Sequence, residues 1–281
     1  MSGQAKQEML IPDAYLSPQE IVGRATTIPS FCLFSGGHDS VVATHLSVSA
    51  GYAKRVVHIN TGTGITENRN YVFEMAEMFK WKIEEIHPPE SSYEDFVLKY
   101  GFPGPMAHRY AYIWLKERAL KKLVQSAVCP PHNRAMLLTG IRSKESARRM
   151  GYNSPTNRVG STIWVAPIYY FSAIEVTEYM ERHGIPRNPV VDLLHRSGEC
   201  NCGAFAHPGE MAEMEMWFPE TAKKLHALEV QARNAGVGCI WGKGGKKPKV
   251  PTFMPLCVGC ENDDRLGRRP FAMEKPLHPR P

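Results

Sequence analysis

The stretch Phe31-Cys32-Leu33-Phe34-Ser35-Gly36-Gly37-His38-Asp39-Ser40 decides the reading of this chain. An apolar run ends in two adjacent glycines, and a helical pattern (Val41, Val42, Leu46, Val48) begins at once. That order spells strand, tight turn, helix N-terminus. Adjacent glycines let the backbone turn sharply and approach a ligand, because no Cβ intervenes. The first amides of the helix have no partners inside it, and the helix dipole favours an anion in front of them. Ser35 and Ser40 add hydroxyls. Asp39 would repel phosphate unless a cation offsets it, and a Mg²⁺ shared between Asp39 and phosphate oxygens is one such cation. The loop is not a Walker A loop, which needs four residues between its glycines and a lysine after them.

Working outward, strands and helices alternate. Lys54 to Asn60 reads as a second strand, Lys82 to Ile86 as a third, Arg134 to Gly140 as a fourth and Thr162 to Ile168 as a fifth. Helices are expected over Glu67 to Phe79 (capped by Thr66), Tyr93 to Tyr100, Ala107 to Ser126, and Ala173 to His183 with Ile174, Val176 and Met180 inward. A helical stretch from Pro208 to Asn234 should break at Pro219. Alternation of this kind predicts an α/β fold, a Rossmann-like, doubly wound parallel sheet with ligands beyond the carboxyl ends of the strands. Three loops fall there: Ser35–Ser40, Thr61–Thr66 and Gly140–Arg149. The expected organisation is an arm over 1–28, a nucleotide-binding domain over 29–186, a cysteine-rich segment over 187–262 and a basic, proline-rich tail over 263–281.

Composition bounds the function. The chain has 281 residues, 43% hydrophobic and 22% charged, with a formal charge of +6, which suits an anionic ligand. No apolar run reaches the roughly 20 residues of a membrane span, and the N-terminus lacks a signal-peptide layout, so a cytoplasmic protein is expected. In that setting the seven cysteines are not structural disulfides. Cys32 and Cys129 read as small buried residues. Cys200, Cys202, Cys239, Cys257 and Cys260 crowd the last third.

Two further groups carry chemistry. Thr139-Gly140-Ile141-Arg142 ends a strand and is followed by Lys144, Glu145, Arg148 and Arg149. Arginine holds phosphate or sulfate with two parallel donors, and Glu145 can orient one of those arginines. Glu199-Cys200-Asn201-Cys202 and Cys257-Val258-Gly259-Cys260 supply four soft thiolates for an iron–sulfur cluster or Zn²⁺. Reduced, unligated cysteines and a redox pair are the other readings. Cys239 is a buried thiol, an alternative ligand or a sulfur carrier. His195 and His207 flank the first pair and are further candidate ligands, although each alone reads first as structural.

Ser-Gly-Gly-x-Asp-Ser resembles the pyrophosphate loop of the adenine nucleotide alpha hydrolases. Gly140-Ile141-Arg142-x-x-Glu145-Ser146-x-x-Arg149, Asn60-Thr61-Gly62 and Gly184-Ile185-Pro186-Arg187-Asn188-Pro189-Val190 resemble segments of the phosphoadenosine phosphosulfate (PAPS) reductase-like members, over roughly residues 25–205. The resemblance implies an adenine nucleotide under the loops, ATP or PAPS, on Ser35, Gly36, Gly37, His38, Asp39, Ser40, Asn60, Thr61, Gly62, Thr139, Gly140, Arg142, Glu145, Arg148 and Arg149. Asp39, Ser40 and Arg142 would carry the catalysis. It also tilts the cysteine site towards a 4Fe-4S cluster on Cys200, Cys202, Cys257 and Cys260. One departure counts: assimilatory PAPS reductases carry a cysteine in a C-terminal Glu-Cys-Gly-Ile/Leu-His motif, and this tail has none. The chain is therefore read as nearer to the DNA phosphorothioation and tRNA thiolation type members. It would be an ATP pyrophosphatase that adenylates an acceptor for sulfur transfer. Its expected partners are a DNA or tRNA acceptor, a sulfur donor such as a cysteine desulfurase, and a second copy of the chain, with no membrane. A sulfonucleotide reductase and a non-catalytic binding subunit are the alternatives. Lys243–Lys249 with Arg265, Arg268 and Arg269 would form a backbone-binding edge.

Overall fold

The computed structural model describes residues 27–89, 92–128, 130, 133–143 and 154–243. Its elements, in order, are β1 (Ser30–Leu33), α1 (His38–Ser49), β2 (Arg55–Ile59), α2 (Thr66–Met78), β3 (Ile83–Ile86), α3 (Tyr93–Tyr100) and α4 (His108–Tyr112). A π-helical turn (Ile113–Glu117) joins α4 to α5 (Arg118–Ala127). Then come β4 (Ala135–Leu138), β5 (Thr156–Val159), β6 (Thr162–Val165), α6 (Ala173–Arg182), α7 (Pro189–Leu194), α8 (Glu210–Trp217) and α9 (Pro219–Asn234).

The six strands form one sheet in the order β3-β2-β1-β4-β6-β5. Neighbours from β3 to β6 pair in parallel. β5 lies antiparallel to β6 at the edge, Val159 opposite Thr162. The chain runs outward from β1 through β2 to β3, then returns to place β4 on the other side of β1. That reversal leaves a crevice beyond β1 and β4, where ligands of such sheets sit.

Alternation along β1 builds both faces. Cys32 joins Phe34, Val41, Val42, Met75, Met136, Val176 and Met180 in one buried cluster under α1, α2 and α6. Phe31 and Leu33 point the other way, into Val57, Ile59, Leu120, Leu123, Val124 and Leu137 under α5. Each large apolar side chain buried this way contributes about 1.5–3 kcal/mol. A third cluster holds Tyr93, Phe96, Val97, Leu115, Leu228 and Cys202, with Cys200 and Cys239 packed against it.

Several expectations shift. The fifth strand ends at Val165 and is the second arm of a hairpin whose first arm, β5, was not foreseen. Gly160 has φ +59°, in the left-handed region a two-residue turn needs. Ile174 was expected inward but is 70% exposed, while Val176 and Met180 are buried. One turn of α6 cannot face inward at both 174 and 176. Thr66 is the first residue of α2, and Ile65 stands at its N-cap with no side-chain cap. Pro219 does open a new helix, as N1 of α9. Within that stretch, 208–234, Met214, Leu225 and Leu228 are buried, whereas Trp217 is half exposed. Among the described residues no helix is long and apolar enough to cross a membrane. Residues 1–26 of the expected arm, Cys129 and the tail lie outside the described residues.

Candidate functional site

α1 starts at His38, so Asp39 and Ser40 occupy its first turn. Gly37 is the N-cap in extended backbone (φ −71°, ψ 154°), and no side chain caps the helix. The amide end is thereby left for a ligand. The loop is closed on itself by serine. Ser40 Oγ donates to the Gly37 carbonyl at 2.8 Å and accepts from the Ser35 hydroxyl at 3.1 Å and the Ser35 amide at 3.3 Å.

Two asparagines hold the outer side of the loop. Asn68 Nδ2 donates to the Ser35 carbonyl at 3.0 Å. Asn188 Nδ2 donates to the Gly36 carbonyl and to Asn68 Oδ1, each at 2.8 Å. With its carbonyls taken, the loop presents amides to the crevice. Gly36 has φ +85°, and a Cβ there would sit 2.2 Å from Asn68 Oδ1. Sequence reasoning passed over both asparagines. The signal available was Asn188 directly before Pro189, the N-cap position of α7.

His38 turns away from the crevice. Its Nε2 accepts the Asn188 amide at 3.2 Å. Burial, aided by the Arg187 charge and opposed by Asp192 and Asp39, lowers its pKa below the ordinary 6.5. The unfolded chain therefore takes this proton near pH 6.5 and the folded chain resists it. The stability this group contributes is complete above that pH and falls as pH drops below it. His38→Gln is expected to flatten the fall in urea midpoint between about pH 7.5 and 5.5. An unchanged slope would contradict the assignment.

From β4, Thr139 is buried with its amide on the Val165 carbonyl at 2.9 Å. Gly140 lies against α1: a Cβ there would meet Ser40 N at 2.6 Å and the Asp39 carbonyl carbon at 2.7 Å. Both are backbone atoms that cannot rotate away. Gly140→Ala is expected to cost about 1–3 kcal/mol by overpacking and to displace the first-turn amides. The checks are the urea midpoint and the affinity for a non-hydrolysable ATP analogue, both of which should fall.

Arg142 reaches back to the loop. Its Nε stands 2.8 Å from Asp39 Oδ1, with both side chains largely buried. This is a charge contact rather than an aligned hydrogen bond, since the N–H has no acceptor in line. The carboxylate assigned to Mg²⁺ and the guanidinium assigned to phosphate thus neutralise each other. Asp39 offers one carboxylate, as nucleotide-borne Mg²⁺ commonly uses. Glu145, Arg148 and Arg149 lie outside the described residues.

The second loop is tied to the first cysteine pair. Thr61 Oγ1 donates to the Glu199 carbonyl at 3.0 Å, the Ile65 amide to the Gly198 carbonyl at 2.9 Å, and the Asn201 amide to Thr63 Oγ1 at 3.1 Å. Gly62 N–H donates to Asn60 Oδ1 at 3.0 Å, and Asn60 Nδ2 to Glu85 at 3.1 Å. Asn60 therefore shapes the turn. Ser197 packs beside Gly37. Asn201, between the two cysteines, also accepts from Arg196 at 2.8 Å and from the Trp241 indole at 2.7 Å. Arg196 pairs with buried Glu210. Glu199 makes a buried ion pair with Lys116 of the π-helical turn at 2.8 Å. Lys116 was also missed, although it lies one turn from Tyr112 and Leu120 on the apolar face.

Cys200 and Cys202 come together with Cys239, from beyond α9, around Tyr93. The Tyr93 hydroxyl donates to the Cys202 carbonyl at 3.0 Å. Burial first, then the charge of Cys202, Cys200 and Cys239, holds its pKa well above 10. None of the described cysteines is in a disulfide. The thiols fit zinc or iron–sulfur in donor chemistry, but among the described residues no three His, Cys, Asp or Glu side chains form a group that could hold an ion. Cys257 and Cys260 lie outside the described residues. His207 faces carboxylates instead of sulfur, its Nε2 3.2 Å from Glu213.

Known proteins resemble this chain. Adenosine 5'-phosphosulfate reductase of Burkholderia cepacia is 22% identical over 190 residues, 65% of this chain and 73% of that one. The PAPS reductase of Candida auris, solved with phosphate, superposes at a TM-score of 0.50 with 17% identity, covering 64% of this chain and 85% of that one. The U34-tRNA thiolase NcsA of Methanococcus maripaludis, solved with its [4Fe-4S] cluster, gives 0.42 with 12% identity over 85% and 81%. The sequence model of the phosphoadenosine phosphosulfate reductase domain matches residues 29–203. That span begins before the glycine loop and ends just after Cys202, and the chain belongs to the phosphoadenosine phosphosulfate reductase domain family.

Proposed function

We propose that the chain binds ATP with its pyrophosphate end on Ser35–Ser40 and cleaves it between the α and β phosphates. This would adenylate an acceptor, a nucleic acid, for sulfur transfer. The observation that carries the reading is the direct hydrogen bonding of Gly198–Asn201 to the second nucleotide loop, beside a loop whose helix end is uncapped. Cysteine chemistry and an anion cradle share one crevice.

The acceptor oxygen attacks the α-phosphorus, the bond to the bridging oxygen breaks, and pyrophosphate leaves with the electron pair. The amides of His38, Asp39 and Ser40 would meet the departing negative charge. Arg142, once phosphate competes for it, exchanges Asp39 for the phosphate oxygens. Asp39 would then hold Mg²⁺, which supplies further neutralisation of charge on the leaving group. A sulfur nucleophile then displaces AMP from the adenylated acceptor. Cys200 and Cys202, with Cys257 and Cys260, would hold a 4Fe-4S cluster or Zn²⁺, which supplies a soft site for sulfur ligands. Release of AMP and pyrophosphate from ATP in the presence of nucleic acid and a sulfur donor supports this reading, and the absence of α,β-cleavage with any acceptor sinks it.

A second reading, reduction of a sulfonucleotide to sulfite, is favoured by the reductase family itself and by Cys239 beside the Cys200–Cys202 pair. Sulfite release with thioredoxin would support it.

A further inference from the structure

Beside Cys239 lies a cavity of about 560 Å³ between the end of α3 and the turn after α9. Tyr100, Gly101 and Phe102 form one wall, and Val237, Cys239 and Ile240 the other. Arg233 and Lys243 stand at its edge. Its size is that of a small-ligand site.

The lining has one sign of charge. Two cations line the cavity and no carboxylate does, and neither Arg233 nor Lys243 has an ion-pair partner among the described residues. Lys99 adds a third positive charge, 5.2 Å from the centre of the Tyr100 ring. Tyr100 is 56% exposed, with Lys99 over one face of its ring and the exposed remainder left for stacking. The floor is built to bring the ligand close to sulfur. Gly101, at φ +82°, lies so near Cys239 that a Cβ there would be 3.2 Å from its Cβ and 3.7 Å from its Sγ.

An accessible aromatic face beside unpaired cations is the chemistry that holds single-stranded nucleic acid, with bases stacked on the ring and phosphates on the cations. We propose that this cavity holds the strand that flanks the acceptor, taking one unpaired nucleotide against Tyr100 with neighbouring phosphates on Arg233 and Lys243, next to Cys239. The proposal rests on the nucleic-acid acceptor of the previous subsection.

The test is fluorescence anisotropy of the full chain with labelled single-stranded DNA and RNA of about 12 nucleotides. Affinity for the ATP analogue is measured on the same preparations. Tyr100→Ala is expected to weaken oligonucleotide binding about 10-fold. Arg233→Ala with Lys243→Ala should weaken it and reduce the salt slope by about 1.4. Tyr170→Ala, an exposed tyrosine elsewhere, should leave it unchanged, and all variants should bind the ATP analogue normally. Bound oligonucleotide, but not the analogue, should also slow alkylation of Cys239 by N-ethylmaleimide. If the wild type binds oligonucleotide and the cavity variants bind it equally well, the cavity is overturned while the acceptor class stands. If the wild type binds ATP analogue but no oligonucleotide, the nucleic-acid reading falls and the cavity proposal with it.

Discussion

Alanine at position 142 is expected to lower the rate of ATP cleavage by about 10²–10³-fold, the cost of removing one preorganised charge donor from a developing anion. Two effects add. The phosphate loses its guanidinium, and Asp39 loses the cation 2.8 Å from it. An unmatched carboxylate in the first turn of α1 then repels the incoming phosphates. Arg142→Lys keeps the charge but loses the planar fork, so an intermediate loss is expected. With Mg²⁺ left out, Arg142→Ala with Asp39→Asn should bind nucleotide better than Arg142→Ala alone, because the repulsion is gone. Affinity for the ATP analogue and single-turnover AMP formation separate the two effects. If the double variant binds no better than the single one, the Asp39–Arg142 pairing is not what balances the loop.

The second large effect is structural. Lys116→Met is expected to destabilise the fold by about 3–5 kcal/mol, since it leaves the Glu199 carboxylate buried without its partner. Lys116 is 2% and Glu199 7% exposed, so water offers little compensation. Adding Glu199→Leu should recover much of the loss, because an apolar pair of similar volume replaces a buried ion pair at little cost. The urea midpoints of the two variants measure this. A double variant no more stable than Lys116→Met would show that the ion pair is not the origin of the loss. Glu199 adjoins Cys200, so the single variant should also speed alkylation of Cys200 in the native state.

The parts of this molecule written in local sequence were legible. Ser35-Gly36-Gly37 between an apolar run and a helical pattern marks β1, the turn and α1 without outside help, and Gly140 at the end of β4 falls where the crevice needs it. What escaped depends on partners distant in sequence. Asn68 and Asn188 look like ordinary surface amides until the fold brings them to the carbonyls of Ser35 and Gly36. Lys116 looks like one more helix charge until Glu199 arrives beside it. β5 is polar and mostly exposed at a sheet edge, so no apolar alternation announces it. Asp39 and Arg142, given separate ligands from sequence, are joined because β1 and β4 are neighbours in the sheet, a pairing that residue types alone do not encode.

The most direct measurement follows the α-phosphate. ATP labelled at that position is incubated with the protein, single-stranded nucleic acid and a sulfide donor, and PAPS is incubated in parallel with thioredoxin. The account predicts labelled AMP in the first reaction, lost in Arg142→Ala, and no sulfite in the second. Sulfite from PAPS with no AMP from ATP would contradict it and assign the cradle of Ser35–Ser40 to a sulfonucleotide.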